Sequence, residues 1–171
     1  PDGVVSTYLH EQIAEGDVLP LSAPAGDFVL TKEEKPLVLI SGGVGLTPLI
    51  SMLETAVEEQ PERDKFFIHA SRHGSVHGLK KAIEDVKSNK NVQTYTVYEK
   101  PTEEDRKKQA FDKEGYIDLD FLKSVVNTTD AAFYFCGPEP FMKAINKSLK
   151  DWGVDQQDIH FEFFGPASTL E

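Results

Sequence analysis

From residue 37 onward, hydrophobic positions alternate between short continuous runs and spaced patterns. The run Leu37–Ile40 is apolar throughout, which is typical of a strand buried on both faces of a parallel sheet. The apolar residues that follow it, from Leu49 to Val57, have helical spacing. Thr47 is the predicted N-cap of this helix, and Pro48 suits its first turn because a proline there loses no hydrogen bond.

The same alternation continues to the end of the chain. Further strands are predicted over residues 65–70, 92–98, 131–136 and 159–164, and helices over 79–86, 119–126 (capped by Asp118) and 140–152 (ended by Gly153). Repeated β-α-β units require right-handed crossovers. The pattern therefore predicts an α/β fold with a five-stranded, parallel, doubly wound sheet.

Two segments lie outside this alternation. In residues 1–33, glycines and prolines surround short alternating stretches such as Asp17–Leu21, which predicts short strands and turns of a small β structure, with a brief helix over 6–14. The charged residues 32–36 are the predicted linker, so the domain boundary is placed between residues 33 and 34. The highly charged stretch Glu99–Glu114 is predicted to be a solvated excursion that is functional or mobile.

Charge and cysteine content exclude several classes of protein. The 171 residues carry a formal net charge of -11, which disfavours nucleic acid and anionic membrane surfaces as partners. A single cysteine, Cys136, excludes an internal disulfide and a four-cysteine metal or iron–sulfur site. An unpaired thiol suits the reducing cytoplasm, which is the expected location. No membrane span or signal peptide is expected, and the start at Pro1 suggests a piece of a longer protein.

The turn between the first strand and the first helix has the composition of a phosphate-binding loop. It comprises Gly42, Gly43, Val44, Gly45, Leu46 and Thr47. At this place in a doubly wound fold, glycines let the backbone approach a pyrophosphate and helix N–H groups face the anion. The spacing departs from the common G-x-G-x-x-G, and a tight structural turn is the alternative interpretation.

A second glycine turn, Cys136-Gly137-Pro138, follows the fourth predicted strand, so both turns are expected to line one crevice at the carboxyl edge of the sheet. Arg72 follows the second strand, where a 2′-phosphate could lie, although a solvated loop arginine is an equal alternative. His69, His73 and His77 are spaced like helical metal ligands, but a strand and Gly74 interrupt them, so no metal site is predicted.

Five motifs together resemble the ferredoxin–NADP reductase superfamily. They are GVVSTYL, APAGDF, ISGGVGLTPLISM, FYFCGPEPFM and IHFEFFGP. The likeness is strongest to the reductase part of bacterial flavohaemoglobins, which are nitric oxide dioxygenases, and it runs from about Gly3 to Pro166. That family combines a haem-binding globin, an FAD-binding β-barrel and an NAD(P)H domain. No globin and no R-x-Y-S/T flavin motif occur here. The resemblance implies that residues 1–33 are the last part of the barrel and residues 34–171 the NAD(P)H domain with a flavin-contacting end.

The resemblance also implies roles for individual residues. Gly42 to Thr47 would hold the dinucleotide, with Arg72, Cys136, Gly137 and Pro138 beside it and Cys136 near the nicotinamide. Gly3, Ser6 and Thr7 would receive the FAD pyrophosphate. Phe163, Phe164, Gly165 and Pro166 would contact the flavin, with Phe164 stacking on its ring. Glu162 would tune redox potential and is not expected to act as an acid or base.

The implied activity is hydride transfer from NAD(P)H to FAD, followed by electron transfer to haem b, so that the full-length protein oxidises nitric oxide to nitrate with O2. The implied partners are the globin and barrel domains of the same chain. Two alternatives stay open: a reductase of another flavin-dependent electron-transfer system in the superfamily, and a nucleotide-binding regulatory module without turnover. The sequence leaves the choice between NADH and NADPH open.

Overall fold

The computed structural model of the chain describes residues 3–23 and 25–164. Its helices are α1 (Val4–Glu11), α2 (Leu46–Glu59), α3 (Lys80–Lys87), α4 (Glu103–Lys108), α5 (Leu119–Val125) and α6 (Glu139–Trp152). Its strands are β1 (Leu37–Gly42), β2 (Lys65–Ser71), β3 (Val92–Tyr98), β4 (Lys113–Glu114), β5 (Ala132–Cys136) and β6 (Ile159–Glu162). Within these described ranges, no helix is long and apolar enough to cross a membrane.

The strands form one parallel sheet in the order β4-β3-β2-β1-β5-β6. The chain runs outward from β1 through β2 and β3, then returns to place β5 on the other side of β1. The predicted parallel, doubly wound α/β fold is confirmed. One detail differs, because the sheet has six strands where five were predicted. The additional strand, β4, is two residues long and pairs with the end of β3, which is too short a strand to leave a hydrophobic pattern.

Two hydrophobic layers cover the sheet, and β1 supplies both. Leu37 and Leu39 belong to the layer beneath α2 and α3, whereas Val38 and Ile40 belong to the layer beneath α5 and α6. All four side chains are fully buried. Successive side chains of a strand point to opposite faces, so a central strand between two helix layers must be apolar at every position.

Two predicted helix ends are confirmed and one is wrong. The Asp118 carboxylate accepts a hydrogen bond from the Phe121 N–H at 2.9 Å, and Gly153 ends α6 with a φ of 88°. Thr47, however, is not the N-cap of α2. A 3-10 turn over residues 43–45 runs directly into the helix at Leu46, so Thr47 is the second helical residue and its hydroxyl donates to the Val44 carbonyl.

The excursion between β3 and α5 is more structured than its charge suggested. Thr102 caps α4 through a reciprocal capping box with Asp105. Asp105 is 8% exposed, and its carboxylate also accepts a hydrogen bond from the backbone N–H of Gly74 at 3.1 Å. The excursion is therefore attached to the loop that follows β2.

The N-terminal residues differ from their prediction. Helix α1 lies close to the expected brief helix, but within residues 3–23 and 25–36 the structure has no strand. A strand needs a partner to satisfy its backbone groups, and Asp17–Leu21 has none in the described chain. Residues 28–35 nevertheless attach to the sheet domain, since Phe28 packs against Tyr134 and the Thr31 N–H donates to the Tyr134 hydroxyl at 3.0 Å.

Candidate functional site

A cleft of about 910 Å³ opens at the carboxyl ends of β1 and β5, which are neighbours at the centre of the sheet. Its lining comes from the two glycine turns, the loop after β2, the segment after β3 and β4, and the first turns of α6. Ligands of open α/β sheets bind in this crevice, at the point where the strand order reverses. The predicted meeting of the two glycine turns at one crevice matches this arrangement.

The turn from β1 to α2 presents bare backbone to the cleft. Gly43 has a φ of 53° and no atom within 4 Å of where a side chain would begin, so a ligand can approach its backbone. Gly42, Val44, Leu46 and Thr47 also line the cleft. The first turn of α2 contains no acidic residue, which leaves the positive end of the helix dipole unneutralised. The turn therefore fits a bound anion such as a pyrophosphate.

Gly45 has a different task from Gly43. A methyl group added at Gly45 would lie 2.1 Å from the carbonyl oxygen of Cys136, and one added at Gly137 would lie 2.6 Å from the Phe141 ring. Gly45 does not line the cleft. It lets the two turns pack against each other, so its replacement would disturb the fold before it disturbed a ligand.

Cys136 lies beneath the cleft and does not line it. Its side chain is fully buried among the residues under α2, and burial, followed by the nearby charge of Glu162, raises the pKa of the thiol to about 11. A protonated, buried thiol is a packing group and not a nucleophile. Pro138, in contrast, is at the cleft surface as the sequence predicted, whereas Gly137 contacts Phe141 below it.

The outer end of the cleft contains Arg72 together with two residues that the sequence reasoning missed, Glu99 and Tyr116. Arg72 is exposed, and within the described chain no ion pair or side-chain hydrogen bond holds its guanidinium. Glu99 follows β3, and its carboxylate, close to the Tyr116 hydroxyl, raises the pKa of that hydroxyl. These two were missed because the short strand β4 that positions Tyr116 left no pattern in the sequence.

The histidines form a buried polar cluster behind the cleft. The His69 ring lies 4.4 Å from the His77 ring between centroids, and its Nδ1 is 2.7 Å from the Ser41 hydroxyl. Burial, then the neighbouring His77, lowers the pKa of His69 to about 3, and burial, then Lys80, lowers the pKa of His77 to about 4. Both rings are neutral near pH 7. Over residues 3–23 and 25–164, no three histidine, cysteine or acidic side chains gather as a metal site.

The residues assigned to the flavin by resemblance occupy two surfaces. Gly3 is the N-cap residue of α1, Ser6 donates its hydroxyl to the Gly3 carbonyl, and the Thr7 N–H bonds to the same carbonyl at 2.9 Å. At the other end, Glu162 lies beside Cys136 in the β5–β6 register, and Phe164 is 52% exposed.

The other three residues of the C-terminal group are Phe163, which the structure describes, and Gly165 and Pro166, which it does not. Phe163 packs against the hydrophobic layer beneath α5 and α6, so its ring is partly withdrawn from solvent. Gly165 and Pro166 lie outside the described residues. Of the predicted flavin-contacting segment, Phe164 is therefore the aromatic side chain that the structure leaves accessible.

Comparison with known proteins bears on this cleft. The family model described as "Oxidoreductase NAD-binding domain" matches residues 39–147, which contain both glycine turns. The chain belongs to this family. The family's domains bind NAD, and the geometry of the two glycine turns agrees with a dinucleotide in this cleft.

Individual relatives extend the likeness beyond the domain. The chain is 51% identical, over its whole length, to a flavohemoprotein of Bacillus thuringiensis subsp. konkukian and spans 43% of that protein. It resembles the solved FAD/NAD-binding domain of nitric oxide dioxygenase from Vibrio cholerae, with 33% identity and a TM-score of 0.82, covering 96% of this chain and 65% of that one.

A flavohemoglobin structure from Malassezia yamatoensis with bound FAD and heme has 28% identity and a TM-score of 0.71, covering 84% of this chain and 36% of that one. The predicted resemblance to flavohaemoglobin reductases is thus confirmed. Because the chain spans less than half of the curated relative, the activity of a whole flavohaemoprotein does not follow directly from these matches.

Proposed function

We propose that this chain is the NAD(P)H-binding reductase part of a flavohaemoprotein that oxidises nitric oxide to nitrate with O2 in the cytoplasm. The observation that carries the proposal is the cleft at the carboxyl ends of β1 and β5, with the open Gly43 backbone just before α2. The chain's 51% identity to a curated flavohemoprotein along its whole length supports the choice among NAD-binding reductases.

The dinucleotide would be held by the backbone of residues 42–47 at the pyrophosphate, with Pro138 and Phe141 forming the wall of the inner end. A nicotinamide coenzyme supplies a hydride when bound; the protein positions it and excludes competing reactions. The apolar inner wall limits water there. No residue of the cleft is assigned acid–base work, and Glu162 acts through its charge alone.

The boundary at residues 33/34 and the role of residues 1–33 as barrel remnant are parts of the same proposal. Helix α1 buries none of its residues, and Val4 and Val5 are 85% and 70% exposed, as a segment that packs against another domain would be. Gly3, Ser6 and Thr7 would meet FAD at the start of this helix. Phe164 offers the flavin an exposed ring, whereas haem b would belong to a globin domain of the longer protein.

The proposal is tested by binding of NADH to the 171-residue chain, measured by titration calorimetry. Gly43→Ala places a methyl group in the cleft, and we expect it to weaken NADH by about tenfold or more, since a displaced pyrophosphate loses its backbone contacts. Gly153→Ala is the matched control, because Gly153 also has a positive φ and open space but ends α6 away from the cleft. Equal NADH affinity in both variants would refute the assignment of the loop.

Another flavin reductase of the superfamily is the remaining candidate, and the cleft serves it equally. The two differ in what receives the electrons. An absorbance spectrum of the longer natural protein separates them: flavin and haem bands together support the flavohaemoprotein, and flavin bands alone support the other reductase.

A further inference from the structure

The segment that joins the N-terminal residues to the sheet domain is firmly attached, although the sequence predicted a charged linker there. This connecting segment comprises residues 31–35. At its first residue, the Thr31 N–H donates to the Tyr134 hydroxyl at 3.0 Å, and the two side-chain hydroxyl groups are 2.8 Å apart. Just before it, Phe28 and Leu30 pack against the hydrophobic layer beneath α2 and α3. One end of the connecting segment is therefore fixed to that face of the sheet.

Arg63 joins the two ends of the connecting segment. It lies in the turn between α2 and β2, at the amino edge of the sheet, and is 6% exposed. Its Nε donates to the Lys35 carbonyl at 2.6 Å, and its Nη1 donates to the Thr31 carbonyl at 3.1 Å. Nη1 also donates to the Gln60 side-chain oxygen at 2.7 Å, which orients the guanidinium. Because the donors of a guanidinium are arranged in a rigid plane, this one side chain sets the distance between Thr31 and Lys35.

Lys35 attaches the second end of the connecting segment to the loops before β5 and β6. Its ammonium donates to both carboxylate oxygens of Asp158, at 3.0 and 2.9 Å, and lies 3.1 Å from the Asp130 carboxylate. Asp158 is 6% exposed, so the carboxylate side of this pair is sheltered from water. The contact between Lys32 and Glu59, at 3.4 Å, instead joins side chains that are 83% and 51% exposed, and such pairs contribute little. The connecting segment is thus held by its sheltered contacts.

Rigidity at this place matters for the proposed reaction. Under the proposed function, the connecting segment joins the NAD(P)H domain to the barrel that binds FAD. Domains move relative to each other unless a large interface holds them. Hydride transfer requires reacting atoms about 3–3.5 Å apart, and a misplacement of about 1 Å can cost roughly 100-fold in rate. A clamped connecting segment therefore restricts the distance between the nicotinamide and the flavin.

We propose that Arg63 clamps residues 31–35 into one fixed shape and is thereby a positioning residue for hydride transfer between the NAD(P)H domain and the barrel. This inference rests on the proposed function, because it presupposes a flavin on the other side of the connecting segment. Arg63 does not line the cleft, which opens at the opposite, carboxyl edge of the sheet. It therefore acts through the position of the connecting segment and not through the binding of the coenzyme.

The clamp is tested first on the 171-residue chain, without any cofactor, by amide hydrogen exchange followed by mass spectrometry. Arg63→Met keeps the apolar stem of the side chain and removes the guanidinium. We expect peptides from residues 28–35 to exchange about tenfold faster or more, while peptides of β5 and α6 change by less than about threefold. Lys32→Met is the matched control, because it removes one positive charge from the same segment without touching a buried contact. It should leave exchange of residues 28–35 within about threefold of wild type.

The positioning role is tested on the longer natural protein, by stopped-flow reduction of its flavin with NADH in the absence of O2. The dependence on NADH concentration separates the limiting rate, which reports positioning, from the half-saturating concentration, which reports binding. We expect Arg63→Met to lower the limiting rate by about tenfold or more and to change the half-saturating concentration by less than about threefold. A residue that only stabilised the fold would change neither value in protein that is still folded. Lys32→Met should leave both values unchanged.

A second variant covers the case in which Arg63→Met fails to fold, which thermal melting followed by circular dichroism detects. Lys35→Met releases the same segment at its other anchor, and we expect the same changes in exchange and in limiting rate.

The outcomes separate the two proposals. Faster exchange together with a lower limiting rate supports the inference, whereas unchanged exchange in Arg63→Met and Lys35→Met shows that no clamp exists. Faster exchange with an unchanged limiting rate, or an equal loss of rate in Lys32→Met, removes the positioning role and leaves the proposed function standing. A wild-type protein whose flavin NADH does not reduce refutes the proposed function itself, and the positioning role fails with it.

Discussion

Helices α1 and α2 both begin after a glycine and both carry apolar residues, yet they differ in what supports them. Helix α2 buries six side chains against the sheet, among them Leu49 and Leu53, whereas α1 buries none. An isolated helix of eight residues has little stability of its own, because most helical stability in proteins comes from packing. The comparison shows that an apolar stripe specifies a packed helix only where the same chain supplies the surface to cover it.

The largest expected difference between the two helices is in how much stability is lost when a leucine is replaced by alanine. Leu53 is fully buried in α2 and Leu9 is 45% exposed in α1. Leu53→Ala should lower the free energy of unfolding by about 2–5 kcal/mol, because it removes buried methyl groups and leaves a cavity. Leu9→Ala should change it by less than about 0.5 kcal/mol. Urea denaturation of both variants measures this, and a loss above about 1 kcal/mol in Leu9→Ala would show that α1 is supported after all.

Acid should weaken the packed region through its buried histidines. The pKa of His69 is about 3 in the folded chain, against an ordinary value of 6.5 in the unfolded chain. Between these two pH values the unfolded chain therefore binds more protons than the folded chain. Stability is therefore fully present above about pH 6.5 and falls as the pH falls, by on the order of 3 kcal/mol at pH 4. Urea midpoints between pH 7 and pH 4 measure the slope. His69→Gln should flatten it, and an unchanged slope in that variant would assign the acid sensitivity to other groups.

The smallest expected effect lies where the N-terminal segment contacts the sheet domain. The Tyr134 hydroxyl joins β5 to the N-terminal segment through the Thr31 N–H and the Thr31 hydroxyl, at 3.0 and 2.8 Å. Tyr134→Phe should cost about 0.5–1.5 kcal/mol of unfolding free energy, as expected for lost hydrogen bonds. Tyr8→Phe in α1 is the control and should cost nothing measurable. Identical denaturation midpoints for all three proteins would mean that residues 28–35 do not strengthen the sheet domain.

Sequence patterns predicted the elements whose physical requirements lie within a few neighbouring residues. The apolar run Leu37–Ile40 requires burial on both faces, Asp118 can cap only the helix that follows it, and Gly153 supplies the left-handed residue that ends α6. Each of these was located correctly because neighbours along the chain determine it.

The errors concern residues whose surroundings come from distant parts of the chain. Thr47 has the right chemistry for a cap, but the 3-10 turn before it starts the helix two residues earlier, at Leu46. The full burial of Cys136 beneath the cleft was likewise not readable from its neighbours, because Gly45 packs directly over its backbone carbonyl. Glu99 and Tyr116 meet only because β4 returns to β3, a contact across the fold that no local spacing reports.

Phe141 determines how the cleft can respond to a ligand. Its ring lies under both glycine turns, so close that a methyl group on Gly42 would be 2.9 Å from it, and one on Gly137 2.6 Å. A ring wedged between two turns makes them a single rigid unit, and neither can shift without the other. We therefore expect the inner half of the cleft to keep a constant width when a ligand binds. Adjustment to coenzymes of different size is left to the outer end of the cleft, where the Arg72 side chain is unrestrained.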